Sequence, residues 1–301
     1  MELSRKHTMR KLFAFAFVVL LIASCALFRP KGPVEKKVLI ETNKGDIYVK
    51  LYNETPKHRD NFLKLADSTF YDSLLFHRVI DEFMIQGGDP ESKNAGRDER
   101  LGNGGPGYTI EAEIVDGIYH KRGAIAAARE ANNVNPEKRS SGSQFYIVEG
   151  NVWEDAQLDL LIKRRNTQVY SKYINRYLKR PENKELMEKV DSLRRHQKRE
   201  AFNEIYLDLK KKVRPMMKAD SVELFDLNQE QRELYKTVGG SPHLDGEYTV
   251  FGEVILGMDV VEEISDMKTD IRNRPMKDVL ILDTRVISEK EWRKIKKQAG
   301  K

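Results

Sequence analysis

The chain has 301 residues, 40% hydrophobic and 33% charged, with 53 Lys+Arg against 47 Asp+Glu and a formal net charge of +6. That is enough apolar content for one or two packed domains. One cysteine, Cys25, excludes an internal disulfide; the six histidines show no metal-ligand spacing and there is no CxxC, so neither a metal nor another cofactor is expected.

Residues 1–24 read as an export signal. Arg5, Lys6, Arg10 and Lys11 form a positive start, and residues 12–23 form an apolar run too short to span a bilayer comfortably. The run ends Ile22-Ala23-Ser24-Cys25, which resembles a bacterial lipobox. Cleavage before Cys25 leaves an acylated N-terminus, and two or more acyl chains anchor a protein stably. Ala26, rather than Asp, implies sorting to the outer membrane facing the periplasm by the same resemblance. The alternative is a signal or anchor with an incidental cysteine. Residues 25–37 carry Pro30, Gly32 and Pro33 without periodicity and read as a tether.

Residues 38–42 and 46–51 flank a glycine-containing turn and predict a β-hairpin. Thr55 and Pro56 predict a helix start, with Thr55 as N-cap and Phe62, Leu65 and Ala66 on the buried face. Residues 76–89 begin as a strand whose alternation puts Phe76, Arg78 and Ile80 on one face and His77 and Val79 on the other. His77 reads as a hydrogen-bonded structural histidine. Residues 83–85 are apolar and end at Gln86 and the breaker Gly87-Gly88. One Arg, one Gln and several bulky apolar groups within a dozen residues fit a small concave site. Residues 102–107 are glycine-rich but lack the Lys-Ser/Thr of a phosphate loop, so they read as a structural turn. Residues 141–147 form a polar turn running into an aromatic strand.

From 152 to 238 the pattern becomes helical and basic, with 20 Lys+Arg against 15 Asp+Glu. A first helix is expected to about Leu178. A second is expected over 182–213, about 48 Å long, and a third over 228–237. The charge is either a solvated helical face or a basic arm for lipid, a client chain or a partner protein. No nucleic-acid motif appears, so no nucleic-acid partner is expected. Beyond the insertion, residues 253–255 read as a strand, 258–264 as a helix, 279–287 as a closing strand and 288–301 as a basic tail.

Three blocks, F-H-R-V-I…F-M-I-Q-G-G-D from Phe76, S-G-S-Q-F-Y-I from Ser141 and L-D-G-E-Y-T-V-F-G from Leu244, together resemble the cyclophilin family of peptidyl-prolyl cis-trans isomerases. The resemblance covers residues 38–151 and 239–287 and not the insertion at 152–238. It implies a mainly β fold: a closed, eight-stranded antiparallel β-barrel with two capping helices, here with an inserted α-helical hairpin or arm. The site is then on the outer surface, since a barrel of this width has a filled interior.

The resemblance also implies the chemistry. Peptide-bond rotation costs about 18–20 kcal/mol, and uncatalysed X–Pro exchange takes roughly tens to hundreds of seconds. A catalyst must bind the twisted amide better than the planar one. Arg78 occupies the family's catalytic position, where a guanidinium donates to the localised lone pair of the prolyl nitrogen. Phe83, Met84, Tyr146 and Leu244 match the proline pocket. Gln86 matches the residue that bonds the substrate backbone, and Gln144, Ala127 and Ala128 line the adjoining groove. Arg129 stands at a family Asn, Tyr146 at a family Phe, His243 at a family Trp and Tyr248 at a family His. His243 in place of Trp implies weak cyclosporin binding.

The expected function is a prolyl isomerase, lipid-anchored through Cys25, that acts on proline-containing segments of unfolded or exported proteins. The second reading is a binding or chaperone module with little turnover, whose arm holds clients or an envelope partner. The third is a structural lipoprotein.

Overall fold

The computed structural model describes residues 35–300, so the lipobox-like segment and Cys25 lie outside the described residues. Strands β1 (Lys37–Thr42) and β2 (Gly45–Leu51) form the expected hairpin. The Thr42 hydroxyl closes its turn by accepting from the backbone N–H of Lys44 at 3.0 Å and of Gly45 at 3.1 Å. Period-two alternation buries Val38, Ile40, Ile47 and Val49 completely.

Helix α1 (Pro56–Asp67) follows, with His58 joining Phe62, Leu65 and Ala66 on its buried face. The expected cap differs. Thr55 makes no side-chain cap bond, and its buried hydroxyl has no partner among the described residues. The Glu113 carboxylate instead accepts from the backbone N–H groups of Lys57 and His58, each at 3.0 Å. A carboxylate is well suited to a helix N-terminus, where unpaired amides and the dipole favour negative charge.

The remaining strands are β3 (Arg78–Ile80), β4 (Met84–Gly87), β5 (Thr109–Ile110), β6 (Ala124–Ala127), β7 (Ser140–Ser141), β8 (Phe145–Val148), β9 (Val250–Leu256) and β10 (Ile281–Ile287). Eight of them form one antiparallel sheet in the order β10-β1-β2-β9-β6-β8-β4-β3, and β5 pairs with β7 separately. Alternation gives the sheet two apolar faces. Ile85, Ile125, Ala127, Phe145, Ile147 and Phe251 join the main core with Phe62 of α1 and with Val261 and Ile264 of α6 (Met258–Ser265). Met84, Ala124, Ala126, Tyr146, Val148 and Val250 form a second cluster on the other face.

The expected closed barrel is not made by a continuous ladder. Among the described residues the edge strands β3 and β10 are joined only near their ends, by the isolated Leu75–Leu280 bridge and by bonds such as Phe76 N–H to Val279 O at 2.9 Å. The fold is a curled, open antiparallel sheet with helices. Residues 73–76 carry these bonds to 279–281 without forming a regular strand: Ser73 sits at φ +68 and strand geometry begins only at Arg78. For the same reason Phe76 does not share a face with Arg78. It enters the core edge-on to Phe145, with ring centroids 6.0 Å apart.

Between β8 and β9 lie α2 (Asp155–Leu178), α3 (Lys184–Arg195), α4 (Arg199–Ala219) and α5 (Gln229–Thr237). The single helix expected over 182–213 is two helices. The chain breaks after Arg195, where Gln197 adopts φ +53. The break lets Val190 of α3 pack into one apolar cluster with Tyr170 and Ile174 of α2 and Leu209 and Val213 of α4. The expected helix over 228–237 is α5, started by a capping box between Asn228 and Gln231. At the base of the insertion, Gly240 bridges both Lys121 and Asn151. A Cβ on Gly240 would lie 2.3 Å from the His120 carbonyl, so only glycine permits this crossing. Helix α7 (Glu289–Gln298) ends the described chain.

Candidate active site

The register of the sheet brings the site together. Arg78 on β3 pairs with Gln86 on β4, Gln86 with Tyr146 on β8, Tyr146 with Ala126 on β6, and Ala126 with Val250 on β9. Directly opposed residues of antiparallel strands project to the same face. Arg78, Gln86 and Tyr146 therefore stand in one cross-strand row although 68 positions separate the first from the last.

A polar chain runs from this row into the glycine-rich loop. Arg78 Nη1 donates to Gln86 Oε1 at 3.0 Å, and Gln86 Nε2 donates to Gln144 Oε1 at 3.0 Å. Gln144 Nε2 donates to the carbonyls of Gly102 at 3.0 Å and Gly104 at 2.7 Å. Carbonyls only accept, so the loop dictates the orientation of both amides and leaves an oxygen facing the guanidinium. The loop is held by buried Asp89, whose carboxylate accepts from the N–H groups of Gly102 and Glu91. A Cβ at residue 104 would fall 2.1 Å from Asp89 Oδ1, which accounts for Gly104.

Arg78 is half-buried, and burial lowers its pKa. A guanidinium remains charged even so. Its Nε and Nη2 make no hydrogen bond among the described residues. Beside it, Phe83, Met84, Tyr146, Leu244, Ala128 and Tyr248 belong to one apolar cluster, with Met84 Sδ 3.9 Å from Arg78 Nη1. Tyr146 and Tyr248 meet edge to face at 5.9 Å, and Phe83 lies against His243 at 5.2 Å. Burial pushes the His243 imidazole down to about 4, so it is neutral at pH 7.

Two expectations change. Ala127 does not line this face: it lies on the core side with Ile125, because neighbouring strand residues point opposite ways. Arg129, which stands at a family Asn, is already engaged. Its Nε donates to Glu247 O, its Nη1 to Glu130 O and its Nη2 to Glu247 Oε2, with the guanidinium 4.6 Å from the Tyr248 ring centre. His77 lacks the hydrogen bonds expected of it. It is buried, yet neither ring nitrogen has a hydrogen-bond partner among the described residues, and burial lowers its pKa to about 4.

Sequence reasoning missed the support beneath the pocket. The Tyr146 hydroxyl meets His120 Nε2 at 3.1 Å, and His120 Nδ1 meets Asp245 Oδ1 at 3.0 Å. Asp245 Oδ2 accepts from Tyr235 at 2.6 Å and from Gln231 Nε2 at 3.3 Å, both on α5. From α2, Arg165 donates to the carbonyl of His243 at 3.0 Å and to Glu247 Oε1 at 3.3 Å. Two helices of the insertion thus grip the 243–247 turn. The one available signal was Asp245 inside the L-D-G block.

Residues 37–164 and 189–286 match the family described as cyclophilin type peptidyl-prolyl cis-trans isomerase/CLD. A Staphylococcus aureus protein provisionally named as a peptidyl-prolyl cis-trans isomerase is 28% identical over 248 residues, covering 82% of this chain and 89% of that protein. A Streptococcus pyogenes protein, provisionally named as a bifunctional phosphatase/peptidyl-prolyl cis-trans isomerase, is 29% identical over 248 residues. That alignment covers 81% of this chain but only 37% of the Streptococcus protein. A cyclophilin-type isomerase of Cryptosporidium parvum is structurally similar at a TM-score of 0.48 and 20% identity, over 85% of this chain and 99% of that one. The family match spans most of the chain, which therefore belongs to the cyclophilin-type peptidyl-prolyl cis-trans isomerases, a family of isomerases.

Proposed function

We propose that the chain catalyses cis-trans isomerisation of X–Pro bonds in exported polypeptides, tethered to the outer membrane through lipidated Cys25. The observation that carries the catalytic reading is the Arg78 guanidinium, oriented by Gln86 at 3.0 Å and set against an apolar wall with donors to spare. As the prolyl amide twists, its nitrogen becomes pyramidal and its lone pair localises. A fixed Arg78 donor stabilises that state more than the planar amide, which is how binding energy lowers a barrier. Phe83, Met84, Tyr146 and Leu244 take the pyrrolidine ring. Gln86 holds the substrate backbone, and no covalent step is needed. The role in export, the anchor and an envelope partner for the insertion rest on the sequence of residues 1–26 and on the basic charge of 152–238.

The test is a proline-isomerisation assay on the purified full chain with a short Ala-Pro peptide, beside Arg78→Ala and Arg78→Lys. Losing one charged donor to the transition state is expected to lower kcat/KM by about 10²-fold or more. Lys, a flexible point charge without a planar fork, is expected not to restore it. A wild-type rate equal to the uncatalysed one would turn the reading to a binding module.

A further inference from the structure

A second cavity, of about 530 Å³, opens beside the proposed prolyl site and shares Arg78 and Gln86 with it. It runs past Gly102 and Asn103 to the turn at 270–274. Five arginines line it, Arg78, Arg100, Arg129, Arg272 and Arg274, against two carboxylates, Glu99 and Asp270.

The balance of charge lies in which of these cations are already paired. Arg274 is buried and held by Asp278 at 3.1 Å and by the carbonyls of Gly96 and Ala95. Arg129 is bound to Glu247. Arg100 has neither an ion pair nor a hydrogen bond to any described residue and is exposed. Exposed Arg272 donates from its side chain only to the Asp98 carbonyl, at 2.9 Å. The two wall carboxylates also hold backbone amides: Glu99 Oε1 accepts from Gly96 N–H at 3.0 Å, and Asp270 Oδ1 from the N–H groups of Arg272 and Arg274, with the Arg97 and Arg272 charges nearby. With Arg274 and Arg129 paired outside the cavity, Arg78, Arg100 and Arg272 still outnumber Glu99 and Asp270, and Arg100 and Arg272 keep guanidinium N–H groups without a partner among the described residues, in a concave setting where like charges focus the field.

We infer that this cavity is a specificity subsite that accepts the carboxylate of an acidic side chain close to the isomerised proline. The inference rests on the isomerase reading, because a peptide bonded at Arg78 and Gln86 passes the mouth of the cavity. Guanidinium matches carboxylate in a planar, two-bond geometry, so Glu and Asp are favoured over Gln and Asn, and Lys is repelled.

The experiment compares peptides Ala-Ala-Pro-Ala-Ala in which Glu, Gln or Lys replaces each of the two residues before and the two after proline. The full chain is assayed at low salt and at high salt. At one or more positions Glu is expected to exceed Gln by about three- to tenfold in kcat/KM, the return from two partly exposed ion pairs. Lys is expected to fall below Gln, and the Glu advantage to shrink at high salt. In the Arg100→Gln/Arg272→Gln double variant, the Glu-to-Gln ratio within that one protein is expected to approach one. Arg100→Glu, at an exposed position, is expected to shift the preference toward Lys. Equal rates for Glu and Gln at all four positions, or a Glu preference that survives the double variant, would overturn the inference. Turnover of the Gln peptides reads the isomerase proposal separately. If they are not turned over, binding of the same peptides by calorimetry still decides the charge preference, with the same two results for and against.

Discussion

The phenol of Tyr235, on helix α5 of the insertion, donates a 2.6 Å hydrogen bond to the buried carboxylate of Asp245. Asp245 accepts from both the backbone N–H and the ring Nδ1 of His120, which leaves Nε2 to accept the proton of the Tyr146 hydroxyl. The floor of the proposed proline pocket is therefore fixed by a side chain 89 positions further along the chain. Tyr235→Phe keeps the ring and removes only the donor. It is expected to cost about 1–3 kcal/mol in urea unfolding, because a buried acceptor loses a partner, with a smaller fall in kcat/KM as Tyr146 loosens. Wild-type stability in the variant would show that Gln231 alone suffices for Asp245 Oδ2.

Gln144 joins the catalytic row to the glycine-rich loop. Its Nε2 serves two carbonyls, Gly102 and Gly104, while its oxygen accepts from Gln86. Gln144→Glu keeps the shape and removes the donor, so at neutral pH a carboxylate faces two carbonyls in a buried position. The expected result is a loss of about 1–3 kcal/mol or more in stability, and faster amide exchange at Gly102, whose N–H is held by Asp89. Exchange at Gly102 unchanged from wild type would show that Asp89 holds the loop without Gln144.

Much of this arrangement was legible because it is local. The hairpin turn at residues 43–45, the start of α1 at Pro56 and the alternation that separates Arg78 from Val79 follow from short-range sterics and patterning. What was not legible depends on partners distant in sequence. Glu113 replaces Thr55 as the effective cap of α1, and nothing near Thr55 announces it. Phe76 obeys the core around Phe145 rather than the strand period that begins two residues later. The break at Gln197 interrupts no strong breaker motif, since the helix turns back to bury Val190 against Leu209 and Val213. The grip of Arg165, Gln231 and Tyr235 on the 243–247 turn was hidden because none of the three motif blocks includes these residues, although the family match extends over Gln231 and Tyr235.

His77 supplies a pH signature. Burial, the largest cause, pushes its imidazole down to about 4; the nearby Asp89 charge opposes this, and Arg78 and Arg274 add to it. The unfolded chain binds the proton near 6.5, so between about 4 and 6.5 the unfolded state holds more protons than the native one. Stability is therefore full above about pH 6.5 and declines as pH falls toward 4, by up to about 3 kcal/mol from this group. His243, also lowered to about 4, acts in the same window and the same direction. Burial also lowers the His58 imidazole, which adds in the same direction. His77→Phe removes one of these three contributions without adding a polar group to a site whose ring nitrogens have no partner among the described residues. Urea unfolding at pH 7.5 and pH 4.5 is expected to show a smaller acid loss in the variant than in wild type, with a remainder from His58 and His243. Equal losses in the two proteins would mean that His77 becomes protonated in the folded chain, through solvent entry or a partner gained in acid.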